Sequence, residues 1–341
     1  MPEKIKRQRL KETFLINKIE EISRATRWFN KSLIIKSIGD DCAIFKDKGN
    51  ILISTDNITE KIHFTLEKYS FYEIGAKSLL VNLSDIAAMG GNPRLFTLSF
   101  FIPRYISNKN IMETLDGIID TAKKYRISLV GGNISGASEY SISITIIGDY
   151  NNNYVLTRGM SEPGDAVFVS GELGNAWLSY LINYKIKNMG NIDKTARRGV
   201  ERFLKRFKLP APRIELGKIL AKTKLARNLT DVSDGIFKDI NNICGHGAEI
   251  QMDKLPVNKE LKNIVNLLNI KNLFDGVISF GEDYELLWTG KKESEKKLLE
   301  ISKKLGIRIT RIGRITDQYK GIKFLNRKTL YPIKDFTYEH I

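Results

Sequence analysis

Cysteine and histidine are scarce in this 341-residue chain, which has two cysteines, Cys42 and Cys244, and three histidines. Two cysteines cannot build a disulfide framework or a cysteine-based zinc site, and three histidines argue against a histidine-rich metal site. No stretch approaches the ~20 apolar residues of a membrane span. No apolar segment follows the basic start MPEKIKRQRL, so a secretory signal is not expected. A soluble, cytoplasmic protein with reduced thiols is expected. Several catalytic signatures are missing as well. There is no GxxxxGK[ST] loop, no HRD or DFG set, no GxSxG elbow and no HExxH helix. If ATP is used, a less common fold holds it.

Hydrophobic residues make up 42% of the chain, enough to build packed cores, so a disordered tail protein is excluded. The length suggests about two domains. The net charge of +16 invites a nucleic-acid-binding reading. Much of that excess falls in residues 181–230, where fourteen Lys and Arg face only Asp193, Glu201 and Glu215. This segment reads as amphipathic helix, with Phe203, Leu204 and Phe207 on an apolar stripe and Arg202, Lys205 and Arg206 outside it. A solvated helix face, steering of a polyanionic small substrate and nucleic-acid binding all fit such a segment. No zinc-finger spacing, RNP1-like run or heptad-linked basic region supports the last.

Hydrophobic periodicity predicts helices over 11–30, 72–90, 109–125, 175–187, 194–207, 213–223 and 294–305, with a helical pattern from Ile236 to Ile243. It predicts strands over 51–55, 95–102, 127–130, 141–147, 166–170, 248–252, 284–289 and 308–312. The polar loop near 149–157 is the best boundary, giving two mixed α/β halves, 1–149 and 150–341.

Acidic residues recur where elements end beside small residues. Gly39-Asp40-Asp41 precedes the apolar run CAIF, and Ser54-Thr55-Asp56 ends the strand ILI. Asp231-Val232-Ser233-Asp234-Gly235 precedes a helix, and Gly281-Glu282-Asp283 precedes the strand YELLW. Ser78, Asn82 and Asp85 share one face of their helix, which reads either as solvent-exposed or as a buried face needing a partner. Asp234 alone also fits an ordinary N-cap, and Asp56 a turn. Together these carboxylates and hydroxyls suit a hard cation such as Mg²⁺. The strand into Gly131-Gly132-Asn133 allows close approach of a ligand to the backbone. The loop Ser170-Gly171-Glu172-Leu173-Gly174-Asn175 starts a helix whose N–H groups could hold an anion. Each glycine pair also fits a plain turn.

These pieces together resemble the thiamine-monophosphate kinase family, within the superfamily that includes aminoimidazole ribonucleotide synthetase. The resemblance is carried by IGDDCA over 38–43, STD over 54–56, IHF over 62–64 and KSLLVNLSDIAAMG over 77–90. It continues through VGG over 130–132, LTR over 156–158, PGD over 163–165, DVSDG over 231–235, GEDYEL over 281–286 and the tail YEH over 338–340. It implies Mg²⁺-dependent transfer of a phosphoryl group from ATP to thiamine monophosphate, directly and in line, giving thiamine diphosphate. It implies several Mg²⁺ ions on Asp41, Asp56, Asp85, Asp231 and Asp234, with Ser54 and Thr55 as further oxygen ligands. Asp231 and Asp234 are the implied catalytic pair. Gly132, Asn133, Arg158 and Ser233 would contact ATP. His63, Glu282 and Tyr338 would face thiamine phosphate, with the Tyr338 ring a stacking surface for a cationic heterocycle.

The implied architecture is an N-terminal ATP- and Mg²⁺-binding domain over 1–149, contributing strands to a β-barrel shared with a second subunit, and a C-terminal domain over 150–341 whose mixed sheet and flanking helices close the active-site cleft. A homodimer follows. The chain departs from the family pattern at Asn133, where the family has Asp, and at Lys61, where it has Gly. Sister enzymes fit less well. Selenophosphate synthetase needs a reactive Cys in a glycine-rich loop, whereas Cys42 sits in an apolar run. The hydrogenase maturation enzyme ends in Cys, whereas this chain ends in His340-Ile341. An aminoimidazole ribonucleotide synthetase would lack GEDYEL.

Overall fold

The computed structural model describes residues 12–36, 44–46, 49–150, 155–159, 161–186, 188–190, 192–327 and 329–332. The chain divides into two compact units. One comprises residues 1–83 and 93–149, the other 84–92 and 150–341. Asn92, the residue that opens the fourth strand, and the last turn of the second helix thus count with the second unit.

The first unit opens with helix α1 (Glu12–Arg27) and a small antiparallel pair, β1 (Ile34–Lys36) and β2 (Ile44–Phe45). It continues with β3 (Ile51–Thr59), α2 (Phe71–Ala88), β4 (Asn92–Pro103), α3 (Asn108–Tyr125), β5 (Ser128–Ala137) and β6 (Ser141–Asp149). The four longer strands form one sheet in the order β3-β6-β4-β5. Strand β6 alternates as a half-buried strand should: Ile142, Ile144 and Ile146 are buried, while Ser141, Ser143 and Thr145 face the other way. On its neighbour β3 the same open side carries the exposed Ile51 and Ile53. Helix α3 is the crossover that makes β4 and β5 parallel. Ser107 caps its start by accepting from the Asn110 N–H (3.2 Å), and Lys123 and Lys124 lie in its last turn, where cations suit the dipole.

The second unit holds β7 (Ala166–Ser170), α4 (Asn175–Tyr180), α5 (Lys194–Lys208), α6 (Ile214–Thr223), β8 (Asn228–Asp231), α7 (Ile236–Ile243), β9 (Gly247–Gln251), α8 (Lys259–Leu267), α9 (Leu273–Ser279), β10 (Leu286–Gly290), α10 (Glu295–Leu305), β11 (Ile309–Thr316), β12 (Ile322–Asn326) and β13 (Thr329–Leu330). Seven strands make one sheet in the order β13-β12-β9-β11-β7-β10-β8, antiparallel except for β12 beside β9. Its central strands are buried on both faces, and Trp288 on β10 stacks on Phe168 of β7 (5.7 Å between centroids, 22°). The chain is therefore a two-domain mixed α/β protein, and no closed barrel forms among the described residues of one chain.

The structure corrects several expectations. Strand β3 runs on to Thr59 because β6 pairs with it along its whole length, so Ser54, Thr55 and Asp56 lie inside a strand. Strand β5 likewise continues through Gly131-Gly132-Asn133, in register with β4. Helix α4 stops at Tyr180 and passes into a π-helical turn, Leu181–Lys185. The basic segment is not simply a solvated face. Arg206 and Arg213 both bind the buried Glu285, and Arg227 binds Asp165 (2.7 Å) and Glu162 (2.7 Å). Phe203 and Phe207 are buried, as their stripe predicts.

Candidate active site

In the first unit, the expected ligands on β3 are tied down by the polar stripe of α2. The Asp56 N–H donates to Asn82 Oδ1 (3.0 Å), and Asn82 Nδ2 donates to the Ser78 carbonyl (2.9 Å). Ser78 and Asn82 are buried, which overturns a solvated reading of that face. Ser54 and Asp56 are half-buried, and Thr55 shares a hydrogen bond with Thr145 (2.8 Å).

His63 sits in the turn after β3, and its Nδ1 accepts from the Thr59 N–H (3.1 Å). That bond leaves the proton of a neutral ring on Nε2. The turn is set by Lys61, whose φ of 70° is left-handed, the conformation a glycine would adopt without cost. Lys61 adopts it nonetheless, with its N–H on the Phe64 carbonyl (2.7 Å) and its ammonium on Glu139 (3.2 Å). On β5, a Cβ at Gly132 would lie 2.1 Å from the Leu98 carbonyl oxygen, so only glycine fits there. Asn133 follows, exposed and paired in register with Ser99.

In the second unit, β8 ends in Asp231, which is 2% exposed. Ser84 donates to its Oδ2 (2.6 Å), and its Oδ1 has no hydrogen-bond partner among the described residues. Burial, reinforced by the charge of Asp85, pushes Asp231 up to about 6 against the Ser84 bond and Arg158. Arg158 is exposed. Asp234 pairs with Lys238 (3.1 Å).

The next carboxylate, Asp239 on α7, accepts from the N–H groups of Asp234 (3.1 Å) and Gly235 (3.0 Å). Burial and the charges of Asp231 and Asp234 push it up to about 8. No sequence motif marks Asp239. Its signal was an acid on the face that buries Ile236, Ile240 and Ile243.

The segment 281–285 is strapped to the 231–235 loop. The Glu282 and Tyr284 N–H groups donate to the carbonyls of Ser233 (3.0 Å) and Val232 (2.9 Å), and the Val232 N–H donates to the Glu285 carbonyl (2.8 Å). A Cβ at Gly281 would lie 1.9 Å from the Ser233 oxygen, which is why this motif begins with glycine. Asp283 accepts from the N–H groups of Gly174 (2.7 Å) and Ala176 (2.9 Å). The start of α4, expected to be open to an anion, is therefore occupied by the protein's own carboxylate. Asp283 and Glu285 belong to the GEDYEL motif, and sequence alone assigns them no role.

Asp41 and Tyr338 lie outside the described residues. Among the described residues no group of three or more His, Cys, Asp or Glu side chains is arranged to hold a metal ion unaided. The donors nevertheless suit one. They are carboxylate and hydroxyl oxygens, and the buried Asp231 Oδ1 is left without a partner, a costly state that a hard cation sharing phosphate ligands would relieve.

The chain is similar to known proteins over most of its length. The family described as AIR synthase related protein, N-terminal domain, matches residues 39–150, and its C-terminal counterpart matches residues 162–325. The chain is 31% identical over 303 residues to the thiamine-monophosphate kinase of Bacillus subtilis (strain 168), covering 86% of this chain and 90% of that protein. The crystal structure of thiamine-monophosphate kinase from Stenotrophomonas maltophilia K279a superposes with a TM-score of 0.79 at 30% identity, over 94% of this chain and 98% of that one. The structure of AaThiL complexed with AMPPCP and TMP gives a TM-score of 0.70 at 29% identity, over 94% and 95%.

Proposed function

The chain belongs to the thiamine-monophosphate kinase family of AIR synthase related proteins, and from that premise we propose that it transfers the γ-phosphoryl group of ATP to thiamine monophosphate, giving ADP and thiamine diphosphate. The observation that carries the reading is Asp231, a buried carboxylate with one oxygen unpartnered and Asp85 charged nearby, in a chain whose relatives include a structure complexed with an ATP analogue and TMP.

The acceptor is a phosphate monoester with a second pKa near ~6, already a nucleophile at neutral pH, so the reaction needs no strong general base. It needs two polyanions brought into line with their charge neutralised. In this proposal Asp41, Asp56, Asp85, Asp231 and Asp234, with Ser54 and Thr55, hold Mg²⁺. Mg²⁺ supplies that neutralisation when bound. Gly132, which is exposed, Asn133, Arg158 and Ser233 hold ATP. His63, with its proton on Nε2, Glu282 and Tyr338 hold thiamine phosphate.

Transfer is direct. A labelled phosphoprotein chased into product would overturn that part. Residues 1–149 act as the ATP- and Mg²⁺-binding part, and 150–341 close over the substrates. The open side of β3, with Ile53 69% exposed, is covered by a second copy in a homodimer whose strands complete the barrel. No helix among the described residues is long and apolar enough to cross a membrane, which agrees with a cytoplasmic site of action.

The decisive assay follows formation of thiamine diphosphate from ATP and thiamine monophosphate, with and without Mg²⁺ and with thiamine as control acceptor. Mg²⁺-dependent product from the monophosphate alone is expected. Absence of product, or equal use of thiamine, would overturn the reading.

A further inference from the structure

Between Gly281 and Leu286 the side chains alternate. Glu282 and Tyr284 are half-exposed, whereas Asp283 and Glu285 are buried. Glu282 and Tyr284 also hold left-handed backbone, with φ of 65° and 50°, a region that crowds the Cβ of an L residue. Such a conformation persists only where its surroundings over-determine it.

The buried pair supplies that determination. Each oxygen of Asp283 takes one N–H at the start of α4, Oδ2 from Gly174 and Oδ1 from Ala176. Glu285 takes Arg206, both ends of the Arg213 fork (2.7 and 2.5 Å) and the Ser170 hydroxyl (2.5 Å). These bonds fix the backbone on both sides of Tyr284 and set the direction in which Glu282 leaves the chain.

We infer that Asp283, with Glu285 behind it, is a positioning residue for substrate recognition: the two anchors hold Glu282 in the left-handed turn from which its carboxylate meets the cationic heterocycle of thiamine phosphate. The inference rests on the reading of Glu282 as a substrate contact. It assigns to α4 and to the basic segment carrying Arg206 and Arg213 a task that neither charge nor periodicity suggested. The paired N–H groups require two acceptors, which a carboxylate has and an amide lacks. Asp283→Asn therefore keeps the size of the side chain while turning an NH₂ donor against an N–H donor.

Steady-state kinetics of Asp283→Asn, Arg206→Gln and Glu282→Gln test this. Asp283→Asn is expected to raise KM for thiamine monophosphate about tenfold and to move KM for ATP less than about twofold. Arg206→Gln removes a partly exposed side chain and leaves Arg213 on Glu285, so it folds even where Asp283→Asn does not. It should raise the same KM about threefold. A merely structural role would lower thermal stability and the active fraction without separating the two KM values. A raised KM in Glu282→Gln beside wild-type values in Arg206→Gln and in folded Asp283→Asn would overturn the positioning role alone. A wild-type KM in Glu282→Gln would overturn the substrate role of Glu282, and this inference with it.

Discussion

Two acidic loops lie side by side in the second unit, one over 231–235 and one over 281–285, and they treat buried carboxylates in opposite ways. In the second loop every buried acid is matched. Asp283 has two N–H donors, and Glu285 has two arginines and a hydroxyl. In the first loop Asp231 keeps one oxygen unpartnered, Asp239 on the helix that follows does the same, and their neighbours Asp85 and Asp234 are acids too. A satisfied buried carboxylate is architecture. An unsatisfied one beside like charges destabilises the protein that carries it, and such groups cluster at functional sites.

The largest test of that contrast removes an acid from each loop. Asp231→Ala, like Asp85→Ala, should lower kcat at least about 1,000-fold. Thermal melts should show the Asp231→Ala fold retained, because no buried partner loses its charge. Full turnover in both variants would break the contrast. Glu285→Ala should do the reverse to the fold and cost about 3–5 kcal/mol in urea unfolding, because two half-buried arginines lose their shared anion.

A smaller effect appears in the pH dependence of stability. Asp231 and Asp283 ionise at about 6 and Asp239 at about 8 when folded, against near ~3.9 when unfolded, so the folded state binds more protons between those values. Their contribution is fully present below pH ~4 and is lost as pH rises through about 6 and then about 8. Differential scanning calorimetry without divalent cations should therefore show this part of the stability declining from mildly acidic to alkaline pH. Mg²⁺ with a non-hydrolysable ATP analogue should reduce the decline and leave the part due to Asp283, which backbone N–H groups hold. The smallest expected change is in Asn133→Asp, which adds a charge on exposed β5. It should raise Mg²⁺ affinity a few-fold, about 1 kcal/mol, in the Mg²⁺ dependence of the rate. An unchanged dependence would argue against a metal near this position.

What could be read from sequence follows the range of the interactions. Strand β7 and helix α7 end where the sequence predicts, because their periodicity and flanking glycines are local signals. Ser54–Asp56 and Gly131–Asn133 look like strand ends because small and acidic residues usually mark turns, yet pairing with β6 and β4 carries both strands past them. The N-terminus of α4 looks open because its anion, Asp283, lies more than 100 residues further along the chain. A separation of 79 and 72 residues likewise hides the inward turn of Arg206 and Arg213 toward Glu285, and with it most of the argument against a nucleic-acid surface. The identities of the acids were visible, but which of them were matched was not.

The stacked pair Trp288 and Phe168 has a practical consequence. Trp288 is fully buried on β10, and β10 lies between the strands that end in Ser170 and Asp231. Trp177, nearly as buried, packs its ring against Gly276 one helix away from the 281–285 segment. Two of the three tryptophans in the chain thus sit in apolar surroundings within this unit. Their emission forms a native optical gauge, blue while the sheet is closed and red once water reaches it, that follows the framework of both acidic loops with no label attached.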